Sequence, residues 1–236
     1  MSWIDEIGKD TYEDFPIVEN PEVDEDSWEV KRLGMITGSN FGKLVVKSKD
    51  RKSFTLSTNK TAQTLIYKIA WERLLKSGNI SNGLGRLNIS SREMEHGNDY
   101  EGKAIEKYIE RTGNKVKSAQ EFIRFDEFIG GTPDGFVNDD GLIEVKSPWN
   151  GGNHLYSLLE NKIYNEDHFY QIQGYLWITD REWCDYITFD PDLIDELQLN
   201  VIRVKRDENV INGISLVMEM VKEKIINILN NEKLKR

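Results

Sequence analysis

Gly131-Thr132-Pro133-Asp134-Gly135, followed after a turn at Asn138-Asp139-Asp140-Gly141 by Leu142-Ile143-Glu144-Val145-Lys146, is the stretch on which the fold of this chain turns. Strand side chains alternate, so Glu144 and Lys146 share one face while Ile143 and Val145 point to the other. The turn folds Asp134 back to a place opposite a residue between 145 and 147, and cross-strand neighbours lie about 5 Å apart. Asp134 and Glu144 can then grip one ion. Two carboxylates ~4 Å apart repel by about 4 kcal/mol at an effective dielectric near ~20, and a divalent cation relieves that repulsion. Ligation by oxygen without histidine or cysteine favours magnesium or manganese over zinc. An ammonium at Lys146 would stabilise a hydroxide nucleophile or charge developing on phosphorus, which fits phosphodiester hydrolysis. The same residues also suit a plain reading, since Pro-Asp-Gly is a common turn and Glu-x-Lys a common pair on an exposed strand.

Glu101 adds weight to the metal reading. It stands at helical spacing from Ala104, Ile105 and Tyr108, so its carboxylate shares the inner side of a helix expected over 98–112, which Gly113 ends. An inward carboxylate needs a partner, either an ion shared with Asp134 or a lysine or arginine. Further out, Leu65, Ile66, Ile69, Ala70, Leu74 and Leu75 predict a helix over 60–76, which the Gly/Asn-rich run from Ser77 to Asn88 interrupts. Residues 119–147 read as a β-meander. Helices near 153–162 and 167–178, strands around 184–189 and 200–205, and an amphipathic helix from about 208 onward complete the series.

At 236 residues and 38% hydrophobic content the chain suits one α/β domain with a substantial core. The start, from Met1 to Glu6, has neither the basic region nor the apolar run of a signal peptide, and no stretch resembles a membrane span. The expectation is a soluble protein of the cell interior, with no membrane partner. Cys184 alone cannot form an internal disulfide, and packing is its expected role. His96, His154 and His168 form no HExxH-type zinc site, and the absence of a Gly-x-x-x-x-Gly-Lys-Ser/Thr loop argues against an ATP-driven motor.

The net charge of −10 is unevenly placed: residues 1–27 hold ten acids against Lys9 alone, so the remainder is nearly neutral. That start, with Pro16 and Pro21, reads as an acidic N-terminal arm, and 28–236 as the working domain. A cationic run at Lys43, Lys47, Lys49, Arg51, Lys52 and Lys60 reads as a solvated loop or as a polyanion patch.

Several motifs in order carry a resemblance. They are Trp28-Glu29-Val30-Lys31-Arg32-Leu33-Gly34-Met35-Ile36-Thr37-Gly38-Ser39, Gly97-Asn98-Asp99-Tyr100-Glu101, Pro133-Asp134-Gly135, Glu144-Val145-Lys146 and His168-Phe169-Tyr170-Gln171-Ile172-Gln173, leading into Trp177 and Asp190-Pro191. Together they resemble the YqaJ-type viral recombinase family, within the PD-(D/E)xK nuclease superfamily. The resemblance implies a restriction-endonuclease-like core with a central mixed β-sheet flanked by helices. It implies two Mg2+ ions per active site, one held by Asp134, Glu144 and the Val145 carbonyl, the other by Glu101 with Asp134. Lys146 would activate the attacking water, with Gln171 beside it and Gln173 as the neighbouring alternative.

Arg32 and Ser39 match family positions that bind the DNA 5′-phosphate, a role suited to a planar guanidinium and to a helix-capping hydroxyl. His168 replaces a tyrosine and Gly38 a common alanine of the family, and neither change touches a ligand. Met94 is a possible wedge against the terminal base pair. The activity implied is 5′-to-3′ exonuclease action on double-stranded DNA ends, leaving 3′ tails for a single-strand annealing protein, by a homotrimeric ring in the cytoplasm of a bacterial host cell. The alternatives are an endonuclease or repair nuclease of the same superfamily, and a non-catalytic DNA-binding module on that scaffold.

Overall fold

The strand that carries Glu144 is buried along almost all of its length and stands at the middle of the main sheet. The computed structural model describes residues 27–48, 53–76, 92–119 and 121–234. In chain order these form α1 (Trp28–Lys31), β1 (Ile36–Thr37), α2 (Gly38–Leu44), β2 (Val45–Lys47), β3 (Phe54–Leu56), α3 (Lys60–Lys76) and α4 (Arg92–Thr112). Then come β4 (Val116–Ser118), β5 (Ile123–Arg124), β6 (Ile129–Gly131), β7 (Gly135–Val137), β8 (Gly141–Lys146), α5 (Gly151–Glu160), α6 (Glu166–Thr179), β9 (Trp183–Phe189), β10 (Leu199–Lys205) and α7 (Glu208–Leu229). The acidic arm and the run from Ser77 to Asn88 lie outside the described residues, as do Lys49, Arg51 and Lys52.

The main sheet has the order β10-β9-β8-β7-β4 and is mixed: β8 runs parallel to β9, and the other pairs are antiparallel. Its two faces follow the alternation read from sequence. Leu142, Cys184, Tyr186 and Val204 face a large cluster with Ile172 and Leu176 of α6 and Ile214, Val217 and Val221 of α7. Ile143, Val145, Ile187 and Phe189 face Ala104 and Tyr108 of α4. Each fully buried Leu, Ile or Phe contributes about 1.5–3 kcal/mol. Helices thus cover both faces, as the mixed α/β fold requires, and Cys184 is buried packing.

The meander expected over 119–147 is corrected in part. β7 and β8 form its hairpin, with Asn138 in the left-handed region at φ 48°, but β5 and β6 belong to a second sheet of order β1-β6-β5. There β1 pairs in parallel with β6, Ile36 opposite Ile129. Asp126 closes the β5–β6 turn, accepting from the Phe128 and Ile129 amides at 2.7 Å each. The cationic run is also not a single loop: Lys43 lies in the last turn of α2, Lys47 in the β2–β3 hairpin, and Lys60 opens α3. The helix expected over 98–112 starts earlier, at Arg92.

Candidate functional site

The Gly135↔Ile143 register sets Asp134 one step beyond the β7–β8 ladder, beside Glu144 rather than opposite residues 145–147. Its Oδ2 accepts from the Val145 amide at 2.6 Å, which anchors the half-buried carboxylate to the neighbouring strand. Glu144 is 1% exposed. Its Oε1 accepts from Lys146 Nζ at 2.5 Å, while its Oε2 has no hydrogen-bond partner. A buried carboxylate oxygen without a donor is costly, and its lone pairs are free to accept from a cation or a proton.

Glu101 reaches the same place from α4. It is half-buried, lines one cavity of about 630 Å³ with Asp134, Glu144, Lys146 and Gln171, and has no ion-pair partner among the described residues. The helix on one face of the sheet and the hairpin at its end therefore bring all four predicted residues to one opening. Burial pushes the Glu144 carboxyl up to about 8, with the Asp134 charge adding to it. Burial, then Asp134, pushes Glu101 up to about 7, and burial raises Asp134 as well. For Lys146 burial opposes the charge, but Glu144 and Asp134 outweigh it and hold the ammonium above its ordinary value.

Among the described residues no three His, Cys, Asp or Glu side chains stand close enough to form a ready-made metal cage. The donor set still fits magnesium, which keeps several waters and is commonly held by one or two carboxylates together with substrate phosphate. Asp134 and the orphaned Glu144 Oε2 supply the two carboxylates, and Glu101 stands across the same cavity.

A second cavity, of about 800 Å³, contains both Arg32 and Ser39 together with Lys43, Lys60 and Lys68. The Arg32 guanidinium lies over the Trp28 ring, 4.2 Å from its centroid, and has no carboxylate within ion-pair distance among the described residues. Burial lowers its pKa, against the raising effects of Tyr175, Glu72 and Glu29. Ser39 is not the helix cap expected: Thr37 takes that position, and Ser39 is the second residue of α2, its hydroxyl 3.2 Å from that of Thr37. The cavities are structurally linked. Trp28 Nε1 donates to Thr132, two residues before Asp134, at 3.0 Å. Tyr175 fills the space between Gly38 and Gly131, where an added Cβ would lie 2.3 and 2.5 Å from its ring. An alanine at position 38 would collide with that ring, which gives the family departure a local reason.

On α6 the structure separates the two glutamines. Gln171 lines the carboxylate cavity, and its Nε2 donates weakly to the Tyr175 hydroxyl at 3.4 Å. Gln173 is 0% exposed and turned away, donating to the Lys205 carbonyl at 2.8 Å and accepting from the Asp207 amide at 2.9 Å. It is a strap between α6 and the β10–α7 corner. Gln173→Ala is expected to cost about 2–3 kcal/mol of stability, with catalysis by the folded fraction unchanged; Gln171→Ala should do the reverse. Thermal melts paired with turnover would check this, and a catalytic loss confined to Gln173→Ala would reverse the assignment.

His168 stands behind the cavity, its Nδ1 2.9 Å from the Tyr186 hydroxyl and its ring edge-on to Tyr164. Burial, then the Lys146 charge, pushes it down to about 3, so it is neutral. The side chain of Met94 lies outside the described residues. Sequence reasoning missed Tyr164, Trp149 and Asn153, which also line the carboxylate cavity. Trp149 follows Lys146 by three residues in a Ser-Pro-Trp-Asn run with no strand or helix periodicity; its only signal is that proximity.

Residues 27–182 match the YqaJ-like viral recombinase domain family. LHK-Exo in complex with dAMP is 26% identical, with a TM-score of 0.73 over 89% of this chain and 95% of that one. An alkaline exonuclease (LHK-Exo) from Laribacter hongkongensis is 24% identical, with a TM-score of 0.68 over 85% and 94% of the two chains. A phage related exonuclease from Haemophilus somnus 129PT is 17% identical, with a TM-score of 0.65 over 86% and 98%. No curated protein sequence matches the chain. Among the described residues no helix is long and apolar enough to cross a membrane.

Proposed function

The chain belongs to the YqaJ-like viral recombinase domain family, and from that membership we propose that it is a magnesium-dependent DNA exonuclease. It digests double-stranded ends 5′ to 3′ and leaves 3′ single strands for an annealing protein. The observation that carries this reading is Glu144, a buried carboxylate with one oxygen on the Lys146 ammonium and the other without a donor, beside Asp134 at a cavity open to solvent. Support comes from the fold shared with exonucleases, one of them solved with dAMP.

Asp134, Glu144 and the Val145 carbonyl would hold one ion, and Glu101 with Asp134 the other. Bound there, two magnesium ions supply Lewis acidity and positive charge for phosphodiester hydrolysis. The rest falls to the chain's own side chains. Glu144 fixes Lys146 in place, and the persistent ammonium orients the attacking water and counters charge growing on the phosphoryl oxygens. Gln171 directs an N–H of its amide to Tyr175, leaving Oε1 to accept a hydrogen bond from that water. Arg32, stacked on Trp28, presents its donors to the 5′-phosphate, with Ser39, Lys43 and Lys60 around it. A homotrimeric ring, by analogy with the family, would hold duplex through its backbone without reading sequence.

The test offers linear duplexes with and without 5′-phosphate, and closed circles, in magnesium and in manganese. Release of nucleotides from 5′-phosphorylated ends, with circles untouched, is the expected result. Internal cutting of circles would turn the assignment to an endonuclease, and tight binding without hydrolysis to a binding module.

A further inference from the structure

Trp149 is a large aromatic side chain that the fold leaves open at the site. It is 60% exposed, yet it lines the cavity that holds Asp134, Glu144 and Lys146. Solvation of a tryptophan at a polar opening gains nothing for the core, whose sheet faces are filled by other residues. Its ring is nevertheless held. His96 of α4 meets it edge-on, with centroids 5.4 Å apart and planes at 85°. One helical turn on, Tyr100 meets His96 at 4.8 Å and packs on the α4 face of the sheet. Trp149 is therefore the outer member of an aromatic row rooted in the core. Next to it Gly97 also lines the cavity, and a Cβ there would meet nothing within 4 Å, so the space alongside the row is open.

A fixed indole at the mouth of a cavity, with room beside it and carboxylates at its floor, suits a flat, weakly polar ring attached to a phosphodiester. We propose that Trp149 is a nucleobase-stacking subsite, taking a base of the strand whose backbone reaches Asp134 and Glu144. The inference rests on the nuclease reading above and adds to it a contact that is independent of base identity, because every base has a π-face. Stacking there holds the strand in line with the floor of the cavity, so affinity for DNA depends on Trp149 while the hydrolytic groups do not.

The experiment measures binding of a short 5′-phosphorylated duplex by fluorescence anisotropy in EDTA, where no hydrolysis occurs, for the full chain and for Trp149→Ala and Trp149→Phe. A series of duplexes carries an abasic nucleotide at successive positions from the 5′ end. Trp149→Ala is expected to weaken binding by roughly 5- to 150-fold, the range of base–aromatic stacking, and Trp149→Phe by much less. The wild-type chain should lose affinity at one or two abasic positions, and Trp149→Ala at none of those. An unchanged affinity in Trp149→Ala, or an abasic profile the same as wild type, overturns the subsite while leaving the nuclease reading intact. Failure of the wild-type chain to bind any of these duplexes, both in EDTA and with calcium supplied in its place, overturns both. Melting temperature and the Phe variant separate loss of stacking from loss of fold.

Discussion

Replacing Glu144 by glutamine is expected to lower DNA hydrolysis by about three orders of magnitude, the worth of several kcal/mol of transition-state charge stabilisation. The same change should make the metal-free chain more stable at alkaline pH. Glu144 has a folded pKa of about 8 against an ordinary 4.5, because it is buried beside Asp134. The folded state thus holds this proton more tightly than the unfolded state does. The resulting stabilisation is complete below about 4.5 and is lost as pH rises toward about 8. Glutamine stays neutral throughout, so the variant should match wild type near the lower limit and melt higher near the upper one. The gain is about 2–4 °C for each kcal/mol of relieved strain. Magnesium should reverse the order, stabilising wild type more than the variant, since a ligand that binds only the folded state raises its stability. Calorimetry at the two pH values, with and without magnesium, together with turnover, reads all of this. A variant that melts lower at alkaline pH would mean that Glu144 is only the structural partner of Lys146, and retained hydrolysis would remove it from the active site.

Arg32→Ala should remove the preference for phosphorylated ends. A charged hydrogen bond to phosphate is worth about 1.5–3 kcal/mol, so hydrolysis from 5′-phosphorylated duplex is expected to fall by roughly 10- to 150-fold, with little change on dephosphorylated duplex. Arg32→Lys keeps the charge but not the planar fork, and should restore only part of the preference. Trp28→Ala should resemble it weakly, because the Trp28 ring holds the guanidinium in place at 4.2 Å. The check is the ratio of initial rates on the two ends. An equal loss on both substrates would place Arg32 in stability rather than end recognition, and no loss on either would leave the second cavity without this role.

Features that arise within a few consecutive residues were legible in the chain. The alternation that sends Glu144 and Lys146 one way and Ile143 and Val145 the other is a property of any strand, and the two core clusters follow it. The apolar spacing over 60–76 coincides with α3. Inward placement of Glu101 follows from its helical neighbours Ala104 and Tyr108. Features set by distant partners were not legible. β6 leaves the expected meander because Ile36, far away in the chain, supplies its parallel neighbour. Ser39 loses the cap to Thr37 because β1 delivers the chain into α2 two residues sooner.

Composition, order of motifs and local periodicity therefore determined the α/β class, the faces of the central strand and the carboxylate–lysine set. Tertiary structure alone decided that Asp134 stands beside Glu144, that the Arg32 cavity is joined to the carboxylate cavity through Trp28 and Tyr175, and that Gln171 rather than Gln173 lines the carboxylate cavity. Two residues apart on a helix, side chains diverge by about 200°, and which one meets the cavity depends on the rotation of α6. That rotation is set by packing of α6 against Phe41 and the large core cluster. Periodicity records that one face of a helix is buried; the partners that bury it, and so the direction of each polar side chain, exist only once the chain has closed on itself.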